Sequence, residues 1–138
     1  MKTSCKVITI SLLLALLFGG CDMVTWHSLE VDGTSKVVRV GHCCRYYFSL
    51  EENCTTGYQW YCDCDDPDVT VTINHVAGEA AKGMVGVPGK AKVEIRIHRG
   101  YDGPSTLRFY YQRSWEKEPI KKFTLSLYKE TGNRAFWE

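Results

Sequence analysis

Several signals are missing from this sequence of 138 residues, and each absence removes a class of function. There is no excess of charge of either sign and no basic block: 17 Lys and Arg stand against 16 Asp and Glu, so nothing draws the chain to nucleic acid. Beyond the first twenty residues no apolar run reaches the roughly 20 residues that a spanning helix needs. None of His27, His42, His75 and His98 lies in a nucleophile or metal motif such as G-x-S-x-G or H-E-x-x-H, so no set of catalytic roles is in view and no enzyme is expected. The glycine-rich GMVGVPG (83–89) is not followed by a lysine-serine pair or a predicted helix, which argues against phosphate binding. The acidic run Asp63, Asp65, Asp66, Asp68 lacks the glycine of a calcium loop and is interrupted by Pro67, so it reads as a solvated turn. Internal repeats, low-complexity tracts and amphipathic helices are lacking as well, and no cofactor is implied.

The first twenty residues differ from the rest. Lys2 and Lys6 precede the apolar run Val7–Phe18, and Gly19-Gly20-Cys21 follows, which is the layout of a secretory signal with a small-residue cleavage site. Residues 1–20 are therefore set apart as a signal peptide, and 21–138 are expected to form a single domain, long enough to bury a core of its own. Removing the signal takes two lysines and no acid, leaving 15 basic against 16 acidic side chains. The expected location is the secretory pathway, with the protein secreted or held in endomembrane or lysosome-like compartments. The alternative is bacterial lipoprotein processing, with a lipid anchor on Cys21; Phe18 stands where that signal usually has leucine, which favours the first outcome.

Of the seven cysteines, Cys5 leaves with the signal, and Cys21, Cys43, Cys44, Cys54, Cys62 and Cys64 remain. In an exported chain they read first as disulfide partners of undetermined connectivity. A zinc site is the rival reading, but Cys43-Cys44 and Cys62-x-Cys64 are spaced more tightly than the two to four residues usual between zinc ligands, so no metal is expected.

From Ser35 onward, short runs rich in Val, Ile, Thr, Tyr and Phe alternate with turn residues. They are SKVVRV (35–40), RYYFSL (45–50), YQWYC (58–62), VTVTINHV (69–76), KAKVEIRIH (90–98), STLRFYYQ (105–112) and KKFTLSLY (121–128). Val93, Ile95 and Ile97 alternate with Lys92, Glu94, Arg96 and His98, as expected of a strand with one buried and one wet face. Seven such runs predict an all-β fold, a sandwich or a barrel of antiparallel strands. Because consecutive antiparallel strands alternate in direction, the loops after the second, fourth and sixth runs should meet at one end. NCTTG (53–57), GMVGVPG and QRSWEKEP (112–119) would then lie side by side on a rigid support. In the last, Trp115 beside Arg113 reads either as a cap on the core or as an interface anchor, since Trp, Tyr and Arg dominate binding hot spots.

Taken in order, the three loops carry Asn53-Cys54-Thr55-Thr56-Gly57-Tyr58-Gln59-Trp60, Gly86-Val87-Pro88-Gly89 and Tyr111-Gln112-Arg113-Ser114-Trp115. They resemble the motifs N-P-T-T-G-[YF]-x-W, G-x-x-G and Y-x-R-P-W of the chagasin family of cysteine-peptidase inhibitors, and the resemblance runs from about Val37 to Tyr128. It implies an immunoglobulin-like antiparallel β-sandwich of about seven strands, and a reversible, non-covalent inhibitor of papain-like, cathepsin-type cysteine peptidases that inserts three loops (53–58, 86–89, 111–115) into the active-site cleft. By the same resemblance the peptidase-binding residues are Asn53, Thr55, Thr56, Gly57, Tyr58, Gly86, Gly89, Arg113 and Trp115, with Thr55 and Thr56 over the catalytic cysteine. The other reading of the same sandwich is a secreted or surface-anchored adhesion or carbohydrate-binding module, since fold alone does not fix function. Two positions depart from the motifs: Cys54 and Ser114 replace prolines that would fix φ. A disulfide from Cys54 to Cys43, Cys44, Cys62 or Cys64 would restore rigidity to the first loop. The same change makes Asn53-Cys54-Thr55 a glycosylation sequon.

Overall fold

The computed structural model describes residues 25–79 and 87–131. Eight strands follow one another: β1 (Thr25–Ser28), β2 (Ser35–Val40), β3 (Cys44–Glu52), β4 (Tyr58–Asp63), β5 (Val69–Val76), β6 (Gly89–Ile97), β7 (Ser105–Arg113) and β8 (Lys121–Lys129). One short 3-10 turn, Cys54–Thr56, interrupts them between β3 and β4. The seven expected runs are all strands, within a residue or two at each boundary. β1 is additional. Its four residues, TWHS, are all exposed, so it has no buried face and none of the alternation by which the other strands declare themselves.

The strands form two four-stranded sheets, in the orders β1-β3-β6-β5 and β2-β8-β7-β4. The expected β-sandwich is present and most of its pairs are antiparallel, with two departures: β1 pairs with β3 and β2 with β8 in parallel. Strict up-and-down alternation explains both departures. Every odd-numbered strand runs one way and every even-numbered strand the other, so β3-β6, β5-β6, β4-β7 and β7-β8 are antiparallel. The pairs β1-β3 and β2-β8 join strands of the same parity, and so they are parallel.

The core lies between the sheets and is built from alternate residues. Tyr46, Phe48, Val93, Ile95 and Ile97 point inward from one sheet, and Trp60, Leu107, Phe109, Phe123, Leu125 and Leu127 from the other. Phe48 meets the rings of Phe109 and Phe123 edge-on across the gap, with centroids 5.5 and 6.2 Å apart. Such contacts add about 0.5–1.5 kcal/mol per pair to the burial of the rings themselves.

Alternation also positions the loops. Glu52 of β3 lies opposite Gly89 of β6, Val76 of β5 opposite Lys90 of β6, and Tyr58 of β4 opposite Arg113 of β7. The mouths of the loops after β3, β5 and β7 therefore share one end of the sandwich. In the second of these, residues 80–86 fall outside the described residues, Gly86 among them.

Candidate functional site

The loop after β3 is a single tight turn held by its own polar groups. The Thr56 N–H donates to Asn53 O (3.2 Å) and the Gly57 N–H to Cys54 O (3.1 Å). The Thr56 hydroxyl donates to the same Asn53 carbonyl (2.7 Å), while the Thr55 hydroxyl donates to Asn53 Oδ1 (2.6 Å). Asn53, at φ −118° and ψ 86°, leads into the turn, and Cys54 follows it where the motif has proline. Its own N–H donates to the Tyr111 hydroxyl (2.8 Å), which fastens the start of the turn to β7. Thr55 and Thr56 are left exposed at the tip.

Gly57 closes the turn at φ 79°, in the left-handed region that costs a residue bearing Cβ about 1–2 kcal/mol. There is also no room for a side chain. A Cβ at this position would sit 2.7 Å from Cη2 of Trp115, whose ring covers the glycine from the loop after β7. Trp115 is itself 70% exposed, so it does not cap the core.

Arg113, the last residue of β7, joins the first and third loops. Its Nε donates to Thr56 O (2.9 Å) and its Nη1 to Glu116 Oε1 (3.2 Å). The guanidinium lies 4.3 Å from the centroid of the Tyr58 ring and 5.7 Å from that of Trp115. Tyr58 stacks on Tyr111 at 5.4 Å, and Tyr111 packs against Trp60 at 5.1 Å, so the aromatic column continues down into the core. Asn53, Thr55, Thr56, Gly57, Tyr58, Arg113 and Trp115 are thus brought together as one surface.

At the base of the second loop, the two arms approach closely enough to exclude side chains. A Cβ on Gly89 would lie 2.2 Å from Val76 O, and one on Gly78 would lie 2.4 Å from Pro88 O. Gly89 is buried at the start of β6 and serves this close approach.

Beneath the first loop lies a group that sequence reasoning missed. The Glu52 side chain is fully buried, and its Oε2 accepts the Trp60 backbone N–H (2.9 Å). Its Oε1 accepts the Cys54 thiol (2.9 Å), and His75 Nδ1 lies 2.7 and 2.8 Å from the two oxygens. A proton on Nδ1 is the tautomer that suits those two acceptors. The signal was present in the pattern: Cys44, Tyr46, Phe48, Leu50 and Glu52 share one phase of β3, and Val69, Val71, Ile73 and His75 share one phase of β5.

The cysteines behave differently from the disulfide expectation. Cys43, Cys44, Cys54, Cys62 and Cys64 all carry free thiols, and Cys21 lies outside the described residues. Cys54 cannot be stapled to Cys43 or Cys44, because eight residues of β3 separate its loop from Cys44, roughly 27 Å of strand, against a Cα separation below about 7 Å for a disulfide. Its thiol donates to the Glu52 carboxylate, and that bond, helped by burial and by the nearby negative charge, pushes its pKa up to about 11. Burial pushes Cys62 up to about 12 and raises Cys64. All three therefore hold their protons at neutral pH, which makes them poor nucleophiles. A cleft of about 750 Å³ opens on the flank between Val31, Leu50, Trp60, Ile120 and Lys121, and none of the three loops lines it.

Residues 44–127 match the sequence profile of the chagasin family peptidase inhibitor I42. The chain belongs to the chagasin family. It is accordingly an inhibitor of peptidases and not an enzyme. Among solved structures, the cysteine protease inhibitor EhICP2 from Entamoeba histolytica is similar over 78% of this chain and 97% of its own, with a TM-score of 0.62 and 23% identity. Amebosin is similar over 75% of this chain and 97% of its own, with a TM-score of 0.59 and 25% identity. Both likenesses agree with the immunoglobulin-like sandwich. No curated protein sequence matches the chain significantly.

Proposed function

We propose that this chagasin-family protein inhibits papain-like cysteine peptidases reversibly, by placing the loops 53–58, 86–89 and 111–115 across the active-site cleft without covalent chemistry. One observation carries the reading beyond the family: Arg113 holds the Thr56 carbonyl and lies against both Tyr58 and Trp115, so the first and third loops are joined before any partner arrives. Joining them in advance lowers the conformational entropy lost on binding, which is what tight inhibition requires. In this reading Thr55 and Thr56, small and exposed, lie over the catalytic cysteine. Backbone near Gly89 follows the non-primed side of the cleft, and Arg113 with Trp115 packs on the primed side. A thiol with a pKa near 11 at Cys54 supports a passive wedge in place of a reactive one. The segment 1–20 would send the protein into the secretory pathway, where it meets such peptidases.

The test is titration of the purified protein against papain and a cathepsin-L-type enzyme. Stoichiometric loss of activity that recovers on dilution is expected. Full peptidase activity at micromolar inhibitor would overturn the proposal and favour an adhesion or carbohydrate-binding role for the same end.

A further inference from the structure

A buried carboxylate is costly unless its oxygens are well satisfied, and Glu52 lies at the one place where that cost serves the loops. It is the last residue of β3, on the inward phase of the strand, where an apolar residue would continue the core. Its four contacts go to three different segments. Cys54 belongs to the first loop, Trp60 to the strand that leaves that loop, and His75 to the strand that enters the second loop. His75 is the half-open side of the arrangement, with 32% of its side chain exposed, while Glu52 has none. The neighbouring Glu51 contributes as well, since its carbonyl accepts the Trp60 indole N–H at 2.9 Å.

We propose that Glu52 is the positioning residue of the inhibitory end: its carboxylate binds the first loop to the base of the second, and so sets the Thr55-Thr56 tip before a peptidase arrives. This rests on the inhibitory reading given above. In this chain the Cys54 thiol acts as a hydrogen-bond donor to that carboxylate, at the position where the motif has a ring-locked proline. Loop rigidity has moved from a covalent restraint on φ to a bond with Glu52. A carboxamide cannot replace the carboxylate. Trp60 N–H, the Cys54 thiol and His75 Nδ1–H all donate, and glutamine would turn its own NH₂ toward at least one of them.

The experiment compares Glu52→Gln, Cys54→Ala and Cys54→Ser with the parent protein, reading the inhibition constant for papain, the association rate and backbone amide exchange. Glu52→Gln is expected to raise the inhibition constant about tenfold or more, chiefly through slower association, because a smaller fraction of molecules has the loop in place. Amides of 53–57 and of Trp60 should exchange faster by a similar factor, while those of Val93 and Ile95 in β6 should not change. Cys54→Ala should lose part of the same affinity, and Cys54→Ser, which keeps a donor, should recover most of it. That pair decides the matter if Glu52→Gln does not fold. An inhibition constant within twofold of the parent for Glu52→Gln, or equal losses for the alanine and serine variants, would overturn the proposal. Exchange that accelerates uniformly through both sheets would overturn it too, since that is the mark of a general stability role. If the parent protein fails to inhibit papain, the functional reading fails, and loop-confined exchange alone decides the positioning role.

Discussion

Gly57→Ala is the most direct probe of how the first and third loops are built together. Two separate costs are visible at this position. The backbone sits at φ 79°, and adding Cβ there costs about 1–2 kcal/mol whatever surrounds it. The added atom would also stand 2.7 Å from Trp115 Cη2, well inside van der Waals contact, so the indole must move. Trp115 is exposed and has somewhere to go, and its displacement should therefore cost little in folding but much in binding, because the ring leaves the surface that Arg113 helps define. The expected result is a stability loss of about 1–2 kcal/mol by urea denaturation, together with a rise of about tenfold or more in the inhibition constant for papain. A double-mutant cycle with Trp115→Ala separates the two costs. With the indole gone only the backbone cost remains, so the binding effect of Gly57→Ala should shrink in the Trp115→Ala background while its stability effect persists. Fully additive binding effects would refute the reasoning, and so would a Gly57→Ala protein whose stability equals that of the parent.

Arg113→Lys keeps the charge but loses the fork geometry that reaches Thr56 O while the guanidinium lies over the Tyr58 ring; affinity for papain should fall about tenfold, and a lysine variant equal to the parent would show that charge alone matters. Cys54 should react with iodoacetamide more slowly, by about tenfold or more, at pH 8 than an unhindered thiol of pKa 9.0, because its pKa of about 11 leaves far less thiolate, an effect only partly offset by that thiolate's greater nucleophilicity; a rate equal to that of the denatured protein would contradict the Glu52 hydrogen bond. Since that pKa is raised in the folded state, the associated stability is complete below pH 9 and is lost as pH rises through 11; denaturation midpoints should decline over that window in the parent and less so in Cys54→Ser. If Asn53 carries a glycan, the sugar joins Nδ2 and leaves Oδ1 free to accept from Thr55, so the turn survives but its tip is screened; enzymatic deglycosylation should lower the inhibition constant, and equal constants before and after would exclude interference.

Much of this architecture was legible because its strands are two-faced. Val93, Ile95 and Ile97 against Lys92, Glu94 and Arg96 leave no other assignment, and the same holds for β7 and β8. β1 was not legible, since a strand exposed along its whole length has no hydrophobic period; Trp26 stacks on Tyr47 at the sheet edge, where no buried face forces an alternating pattern. Strand order was hidden as well, because pairing β2 with β8 depends on residues about ninety positions apart that carry no mutual signature. The convergence of the loops survived both omissions. It depends only on the alternation of direction, which an extra strand at the beginning of the chain does not disturb.

At the candidate site, sequence identified the residues that face outward and missed those that hold them. Thr55, Thr56, Arg113 and Trp115 stand in short patterns that can be read one loop at a time. Glu52 and His75 lie on different strands, and neither forms a local motif; each is simply a polar residue at the inward phase near a strand end. An acid at such a position must find donors or unfold the end of its strand, and the donors available to Glu52 are the ones that fix the turn above it. The substitution of cysteine for proline at position 54 then becomes intelligible. A disulfide to Cys43 or Cys44 would have had to lock the loop from the far end of β3, which eight residues of extended chain prevent. A protonated thiol two residues from a buried carboxylate does the same work locally, and it needs neither an oxidising compartment nor a partner cysteine.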